Sequence, residues 1–409
     1  MIVSTTERGQ ALILISLAAI GLFAFAALAI DGSMVFSDRR HAQNAADTAV
    51  LQAALTKVRG GSWQTDGWNR AASNGYNNNS TTNEVIFHNP PIDGPYQFND
   101  EYIQVKIRSD VQLTFARVIG ITKATNHVEA VARVVPTTTR PMFDGHAIVG
   151  LAPHDCQAVK YQGNADTNII GSGIFVNSDC TDTAFFNNSS SARLTAPCLQ
   201  AVGGIDYKPG ALNIPSSCIQ SGDTAYPYPP DNIVFPNVAC VSGGSQDGST
   251  LHPGTYSGHF PPSGVTDLSP GAYCVSGDFR VNSNDTLRGN GVLIIMTSGD
   301  VIFNGGATIQ LNGLPGPQSA ANPYGGLLLY MPMSNPGTIS INGNSDSGLT
   351  GTILAPAADI SINGTGGAGL HGQVIGYTVD LSGTSDLTII YEDQENWDAP
   401  VPPQIELKQ

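Results

Sequence analysis

The sequence predicts a multidomain protein in which a long N-terminal transmembrane or pilin-like α-helix and a small α+β unit precede a mainly β body, a right-handed parallel β-helix. Three observations lead to this fold class. Residues 11–30 are apolar and uncharged, residues 31–58 are alanine-rich and lack proline, and short apolar runs after residue 143 alternate with glycine and asparagine turns. The last pattern recurs with a period near 21 residues, which indicates stacked coils.

The composition shifts divide the chain into five segments. We expect an N-terminal membrane or assembly helix at 1–59, a pilin-like α+β unit with a linker at 60–142, disulfide-bearing degenerate coils at 143–270, the β-helix at 271–393 and a tail at 394–409.

The first segment begins with the apolar run 11–30, which reads ALILISLAAIGLFAFAALAI. A helix of about 20 apolar residues crosses the hydrocarbon core of a bilayer. A cleaved signal peptide is the alternative, because Ala27-Leu28-Ala29 resembles a cleavage site. The run continues directly into helical sequence, which favours an anchor. Small residues in the run would let neighbouring helices approach closely, and the candidates are Ala18, Gly21, Ala26 and Ala29.

The second segment follows Gly60 and Gly61, which end the helix. Its pattern predicts a short helix over 63–76, strands over 85–87, 102–108 and 128–135, and another helix over 113–119. Such a unit would pack on the second half of the long helix. The proline- and threonine-rich residues 136–141 are interpreted as a linker.

The same region carries a family resemblance. The RGQA of residues 8–11, the apolar run, the AID of 29–31, Arg39-Arg40 and the QNAAD of 43–47 resemble TadE/TadG-like proteins of the Flp (Tad) pilus assembly system. The resemblance continues through 115–121 and 128–132, about the first third of the chain. It implies a membrane-anchored envelope protein associated with pili or secretion, and it does not imply an enzyme.

Two departures refine that resemblance. Processed prepilins carry a glutamate shortly after the cleaved glycine, whereas Leu14 is the fifth residue after Gly9, so we expect no prepilin-peptidase cleavage. Some TadG-like proteins carry a DxSxS metal site. Asp31-Gly32-Ser33 begins in that way but lacks the second serine, and we interpret it as a helix boundary.

Charge and cysteine usage limit the environment of the chain. The net charge of −15 argues against nucleic acid as a partner, because that binding depends on basic patches. Six cysteines in an exported segment favour three disulfides, for which fifteen connectivities exist. We expect sequential pairing, with free thiols in a cytosolic domain as the alternative. Charges flanking the run are nearly balanced, so the cysteines and the acidic body place the C-terminal part outside. The cysteines are Cys156, Cys180, Cys198, Cys218, Cys240 and Cys274.

The β-helix prediction depends on an internal repeat. The sequence TISING at 338–343 recurs as DISING at 359–364, and GLTGTIL at 348–354 recurs at the same offset as GLHGQVI. A coil of this length cannot bury its own apolar side chains, so the coils must stack. Asparagines recur just before the corners, where they either form a ladder of side-chain hydrogen bonds or merely tolerate the turn. These repeat-turn residues are Asn304, Asn342 and Asn363.

We expect no catalytic, cofactor or metal site. Asp278, Asp300, Asp359 and Asp380 precede strands at what the repeat indicates are equivalent positions, which favours a structural turn over an active site or a Ca²⁺ column. Aromatic residues between 226 and 273 are expected to pack over the coils, with a sugar- or protein-binding surface as the alternative. They are Tyr226, Tyr228, Tyr256, Phe260 and Tyr273.

These patterns predict a structural or adhesive protein of a Tad-like pilus or envelope assembly, anchored by its helix and displaying the solenoid outside. A self-assembling filament subunit is the alternative, and a carbohydrate-active β-helix enzyme is a third. The expected partners are the membrane, copies of the same chain or other pilus and envelope proteins, and a surface glycan or protein ligand. The expected location is the bacterial cell envelope or an extracellular filament.

Overall fold

The computed structural model describes residues 8–135, 138–189, 191–231, 233–316, 318, 322–343, 347–364, 369–383, 385–401 and 403–408. The chain forms two compact units, Met1–Thr138 with Pro402–Gln409, and Thr139–Val401.

The α-helices are α1 (Arg8–Val58) and α2 (Trp63–Ser73), and short 3₁₀ turns lie at Ala116–Ile119, Met142–Gly145, Ser216–Cys218 and Asp393–Glu395. The strands are β1 (Asn83–His88), β2 (Tyr102–Gln112), β3 (Lys123–Val135), β4 (Thr138–Pro141), β5 (Ile148–Gly150), β6 (Val159–Gly163), β7 (Thr167–Ile170), β8 (Ile174–Val176), β9 (Phe185–Asn187), β10 (Leu194–Thr195), β11 (Leu199–Ala201), β12 (Ile205–Tyr207), β13 (Leu212–Asn213), β14 (Ile219–Ser221), β15 (Gln246–Asp247), β16 (Thr250–Leu251), β17 (Gly254–Ser257), β18 (Asp267–Leu268), β19 (Gly271–Ser276), β20 (Phe279–Val281), β21 (Thr286–Asn290), β22 (Val292–Ser298), β23 (Val301–Phe303), β24 (Thr308–Asn312), β25 (Leu327–Tyr330), β26 (Thr338–Asn342), β27 (Gly348–Thr350), β28 (Thr352–Asn363), β29 (Leu370–His371), β30 (Val374–Gly383), β31 (Leu387–Ile390), β32 (Asp398–Val401) and β33 (Gln404–Lys408).

In the first unit, α1 continues without interruption from the apolar run to Val58. Its second half packs on an antiparallel sheet of order β1-β2-β3-β33. The contact is made by alanines spaced three and four residues apart, which places them on one face of the helix. These fully buried residues are Ala42, Ala45, Ala46, Ala49, Ala53 and Ala54.

The helix α2 packs closely against the same sheet. A Cβ atom on Gly67 would lie 2.5 Å from a ring carbon of Phe87, so only glycine allows this approach. The helix ends at Ser73 rather than at Tyr76. The helix expected over 113–119 is a single 3₁₀ turn at Ala116–Ile119, and Gly120, with a φ of +91°, ends it.

The C-terminal residues differ from the expected tail. The strand β32 pairs with β4, and β33 pairs with β3 as the fourth strand of the sheet. Ile405 and Leu407 alternate with Gln404, Glu406 and Lys408, which is the pattern of a half-buried strand. Within the expected linker, 136 and 137 lie outside the described residues, and 138–141 form β4.

The second unit is a parallel β-solenoid, as the repeat predicted. The strands β26 and β28 pair in parallel with Ile339 opposite Ile360, and the next coil adds Val379 to the same column. Each of these side chains is 1% exposed. Upstream, β20 and β23 also pair in parallel, with Phe279 opposite Val301. The right-handed sense stays a prediction.

The coils do not stack in chain order. One sheet path runs β14-β11-β8-β5-β30-β28-β25-β22-β19-β17, so the first coil lies beside the last. The chain enters the solenoid in the middle of the stack, builds coils to one end, and reaches the other end through residues 222–245, here called the return segment. It then builds coils back to the middle. The expected division at 270 therefore does not mark a boundary between separate domains, because both parts belong to one stack.

The junction between the first and last coils is close-packed. The strand β5 pairs with β30, β6 pairs with β30, and β7 pairs with β31. At the corner after β7, Gly171 has a φ of +91°, and a Cβ atom there would lie 2.1 Å from the carbonyl oxygen of Tyr391. Only glycine fits this corner, because it has no Cβ and tolerates positive φ.

The return segment covers the outward face of the coils. The Tyr226 ring lies edge-on to Phe175, with centroids 5.1 Å apart. The Tyr228 hydroxyl donates to the Pro356 carbonyl oxygen at 3.3 Å. Further along, the Tyr324 hydroxyl donates to the carbonyl of Asn237. Packing over the coils is therefore the role of Tyr226 and Tyr228.

The remaining aromatic residues of that group belong to the solenoid itself. Phe260 and Tyr273 are fully buried in its core. Tyr256 is half-buried and stacks beside Tyr273, with ring centroids 6.1 Å apart. The five aromatic residues therefore do not form a shared exposed surface.

The coil order can be tested by zero-length cross-linking of the intact protein. The Lys160 ammonium lies 2.8 Å from a carboxylate oxygen of Asp380, across the junction between first and last coils. We expect a carbodiimide to join these two residues, and peptide mass spectrometry to recover the pair. Lys160→Arg keeps the ion pair but removes the reactive amine, and should abolish the cross-link. Recovery of the Lys106–Asp93 pair without the Lys160–Asp380 pair would contradict this order.

Candidate functional site

The apolar section of α1 is exposed to solvent in the described structure. The helix is long and apolar enough to cross a membrane, and none of its most apolar window is buried. Gly21 has no other atom within 4 Å of a Cβ built on it, and Ala18, Ala26 and Ala29 are exposed. Contact of these four residues with another helix stays a prediction. The exposed large side chains are Ile13, Leu14, Ile15, Leu17, Ile20, Leu22, Phe23, Phe25, Leu28 and Ile30.

Asp31, which directly follows the apolar run, joins α1 to the β2–β3 connection. Its carboxylate accepts hydrogen bonds from the backbone N–H groups of Thr114 at 2.9 Å, Phe115 at 3.0 Å and Ala116 at 2.7 Å. The side chain is buried, and α1 runs through it. We expected Asp31-Gly32-Ser33 to mark a helix boundary. Asp31 instead lies within α1 and caps the 3₁₀ turn of another element.

A second carboxylate, Asp38, lies two turns further along α1. It accepts hydrogen bonds from the Tyr76 hydroxyl at 3.1 Å, the Ser109 hydroxyl at 3.0 Å and the Asn126 amide at 2.7 Å. Burial and the adjacent Asp38 charge raise the pKa of Tyr76, so this phenol stays protonated and remains a donor. The helix is thereby fixed to both long strands.

A third acid stabilises the stem of the same β-hairpin. Asp110 accepts hydrogen bonds from the Thr125 hydroxyl at 2.7 Å and the Lys123 ammonium at 3.0 Å. Arg108 contributes an ion pair at 3.0 Å. The hydrogen bonds from Thr125 and Lys123 lower the pKa of Asp110 to about 2. The carboxylate is therefore charged at neutral pH.

On the solenoid, the recurring asparagines form two short hydrogen-bonded ladders. Asn304 donates to Asn282 at 3.5 Å. Asn363 donates to Asn342 at 2.6 Å, and the Ser382 hydroxyl donates to Asn363 at 2.5 Å. The ladders do not join directly, because the Asn342 amide donates to the carbonyl of Phe303 instead.

Two of the four recurring aspartates, Asp278 and Asp300, act at turns, whereas Asp359 lies within β28. The Asp278 carboxylate accepts from the backbone N–H of Asp300 at 3.2 Å, and Asp300 accepts from that of Thr338 at 2.7 Å. Asp359 accepts from the Thr378 hydroxyl at 2.5 Å.

Asp380 is not equivalent to the other three aspartates. It pairs with Ser361 in the strand register, because an irregularity between Ala355 and Asp359 shifts the pairing by two residues. Within the described residues, no group of three or more His, Cys, Asp or Glu side chains is placed to hold a metal ion.

The structure pairs the cysteines in chain order, as Cys156–Cys180, Cys198–Cys218 and Cys240–Cys274. The third disulfide joins the return segment, which contains Cys240, to β19, which contains Cys274. Disulfides are typical of oxidising compartments outside the cytosol.

The role of Asp31 can be tested by amide hydrogen exchange on the intact, detergent-solubilised protein. Hydrogen bonds to charged groups contribute about 1.5–3 kcal/mol each, so Asp31→Ala should accelerate exchange at 114–116 by roughly tenfold or more. Asp47→Ala is a matched control on the same helix. The described hydrogen bond of Asp47 is accepted from Gln43, one turn earlier in α1, and does not reach residues 114–116. Equal exchange at 114–116 in both variants would contradict the capping role.

One comparison with known proteins supports the resemblance of the first segment. A search of curated proteins gave no match. Among solved structures, the competence-associated pilin ComZ from Thermus thermophilus matches at 11% identity, over 80% of this chain and 84% of that chain. The TM-score of this match is 0.29, which is too low to support an inference about the fold. Residues 9–56 match the family model described as putative Flp pilus-assembly TadE/G-like. The resemblance found in the sequence is thus confirmed over most of α1, in a chain whose second unit is a β-solenoid.

Proposed function

We propose that this chain is a pilus-related protein of the bacterial cell envelope, anchored by residues 11–30 and displaying its solenoid outside the membrane. The observation that carries the proposal is the position of the TadE/G-like match, which coincides with a helix whose apolar section is exposed and whose second half is buried against a sheet. Such a division suits a helix that leaves lipid and enters a folded unit.

The solenoid supports a structural or adhesive role. Its recurring aspartates Asp278 and Asp300 are engaged by backbone N–H groups, as turn residues are. The return segment covers the outward face of several coils, and three disulfides stabilise the unit. A surface glycan or protein ligand remains a proposal, and no observation among the described residues favours the carbohydrate-active enzyme.

A filament subunit is the second candidate. Gly21 and three exposed alanines would allow close helix–helix contact, which in membranes depends on small residues. The partners would then be copies of the same chain or other pilus proteins.

Display outside the membrane can be tested by protease treatment of native spheroplasts. We expect an added protease to release peptides of Thr139–Val401 while residues up to Val58 stay in the membrane pellet. Cleavage of this unit only after the membrane is permeabilised would contradict the proposed orientation, and full-length chain in the soluble fraction would contradict anchoring.

The anchor and the filament subunit can be separated with a substitution in the apolar run. Gly21→Leu should leave the amount of membrane-bound chain unchanged if the helix is a simple anchor. It should reduce sheared, sedimentable polymer if helices pack at Gly21. Ala27→Leu is a matched control, since it adds a comparable side chain about 120° around the same helix from Gly21, on the side away from Ala18, Ala26 and Ala29. A loss of polymer in both variants, or in neither, would contradict packing at this face.

A further inference from the structure

We propose that the β2–β3 hairpin carries a second membrane contact, and that residues 113–122, here called the hairpin tip, insert into the interfacial layer of the bilayer that α1 crosses. The inference rests on the proposed anchor. The proposed contact surface lies outside the apolar run, and its partner is the lipid interface.

The hairpin tip exposes apolar side chains that nothing in its unit covers. Val118 is 89% exposed, Ile119 76%, Ile121 50% and Phe115 43%. Single exposed apolar residues are common on soluble proteins. Four within seven consecutive positions form a local apolar patch, and such patches mark binding or membrane surfaces.

The hairpin extends along α1 toward the apolar run. Near the middle of β3, Glu129 accepts a hydrogen bond from Gln43, and near its start, Asn126 donates to the carbonyl of Val35. Beyond the strands, the hairpin tip reaches Asp31. The sheet therefore approaches the lipid end of α1 as the chain approaches the tip, which lies beside the residue where the apolar run stops.

The hairpin tip is also fixed in place. Asp31 holds the backbone at 114–116, and Asp110 ties the stem to Lys123 and Thr125. A fixed tip inserts without a further loss of backbone entropy. Its apolar residues would reach the lipid as a consequence of anchoring.

The charge at the hairpin tip suits lipid headgroups. Arg117 is the one charged residue in the sequence of the hairpin tip, and Lys123, at the start of β3, is paired with Asp110. Long basic side chains at a membrane surface keep their charge among headgroups while their stems contact apolar groups. A partner protein would also tolerate this patch, but continuity with the apolar run favours the bilayer.

The proposal can be tested by fluorescence quenching in reconstituted vesicles. Val118→Trp places a fluorophore at the tip on a position too exposed to affect folding. Phe98→Trp is the matched control, because Phe98 is 77% exposed in the β1–β2 connection of the same unit. The connection contacts the other end of α1 through the bond from Lys57 to Asp100, and helix geometry places Lys57 about 40 Å from Asp31. Both variants are compared with the wild type, which contains Trp63, Trp68 and Trp397.

In phosphatidylcholine vesicles brominated near the ester end of the acyl chain, we expect the added fluorescence of Val118→Trp to be quenched and that of Phe98→Trp to be unchanged. Bromine near the methyl end should quench Val118→Trp less. Equal fluorescence of Val118→Trp in brominated and plain vesicles, with the protein co-floating with lipid, would overturn the hairpin contact and leave the anchor intact. If the hairpin tip bound a partner protein instead of lipid, vesicles that contain only lipid would give this same equal fluorescence. Failure of wild-type protein to co-float would refute the anchor itself.

Discussion

Stacking between coils is the constraint on which the solenoid depends. Ile339, Ile360 and Val379 lie in successive coils, and each is almost fully buried only because its neighbours are present. Any coil order that keeps these apolar columns aligned satisfies this requirement, so the stack need not follow the chain. What a permuted order needs is a long connection. Fully extended, the 24 residues of the return segment reach about 80 Å, whereas ten coils at about 4.8 Å rise roughly 45 Å.

Entry and exit in the middle of the stack leave both ends to be protected by other means. An open end presents unpaired strand groups that invite association with another sheet. At one end, β15 folds back on β16 as a short antiparallel pair. At the other, β13 and β14 are two and three residues long, and the Cys198–Cys218 disulfide holds the turn that precedes β14. Short strands, a reversed pair and a covalent tie each limit edge-to-edge growth.

The sequence was sufficient to predict the long helix, the coil repeat and the main strands of the first unit, because each depends on local periodicity. It was not sufficient to predict that β5 lies beside β30, since every coil presents similar Ile, Val and Leu columns and long-range pairing leaves no local mark. Asp380 was misplaced for a related reason, because a fixed 21-residue period ignores the irregularity between Ala355 and Asp359. The role of β33 was missed although its alternation is visible in residues 404–408.

Among the candidate sites, the contacts of Asp31 could not be predicted, because its partners lie more than eighty positions away and are backbone groups. A carboxylate next to a long apolar run is costly when it is desolvated without partners. Three N–H donors satisfy this one, and the same bonds fix the hairpin beside the point where the run ends. If the run crosses the membrane as proposed, Asp31 links the depth of the helix to the position of the hairpin. Together with the Asp38 hydrogen bonds and the buried alanines, these bonds would make the hairpin move with the apolar run.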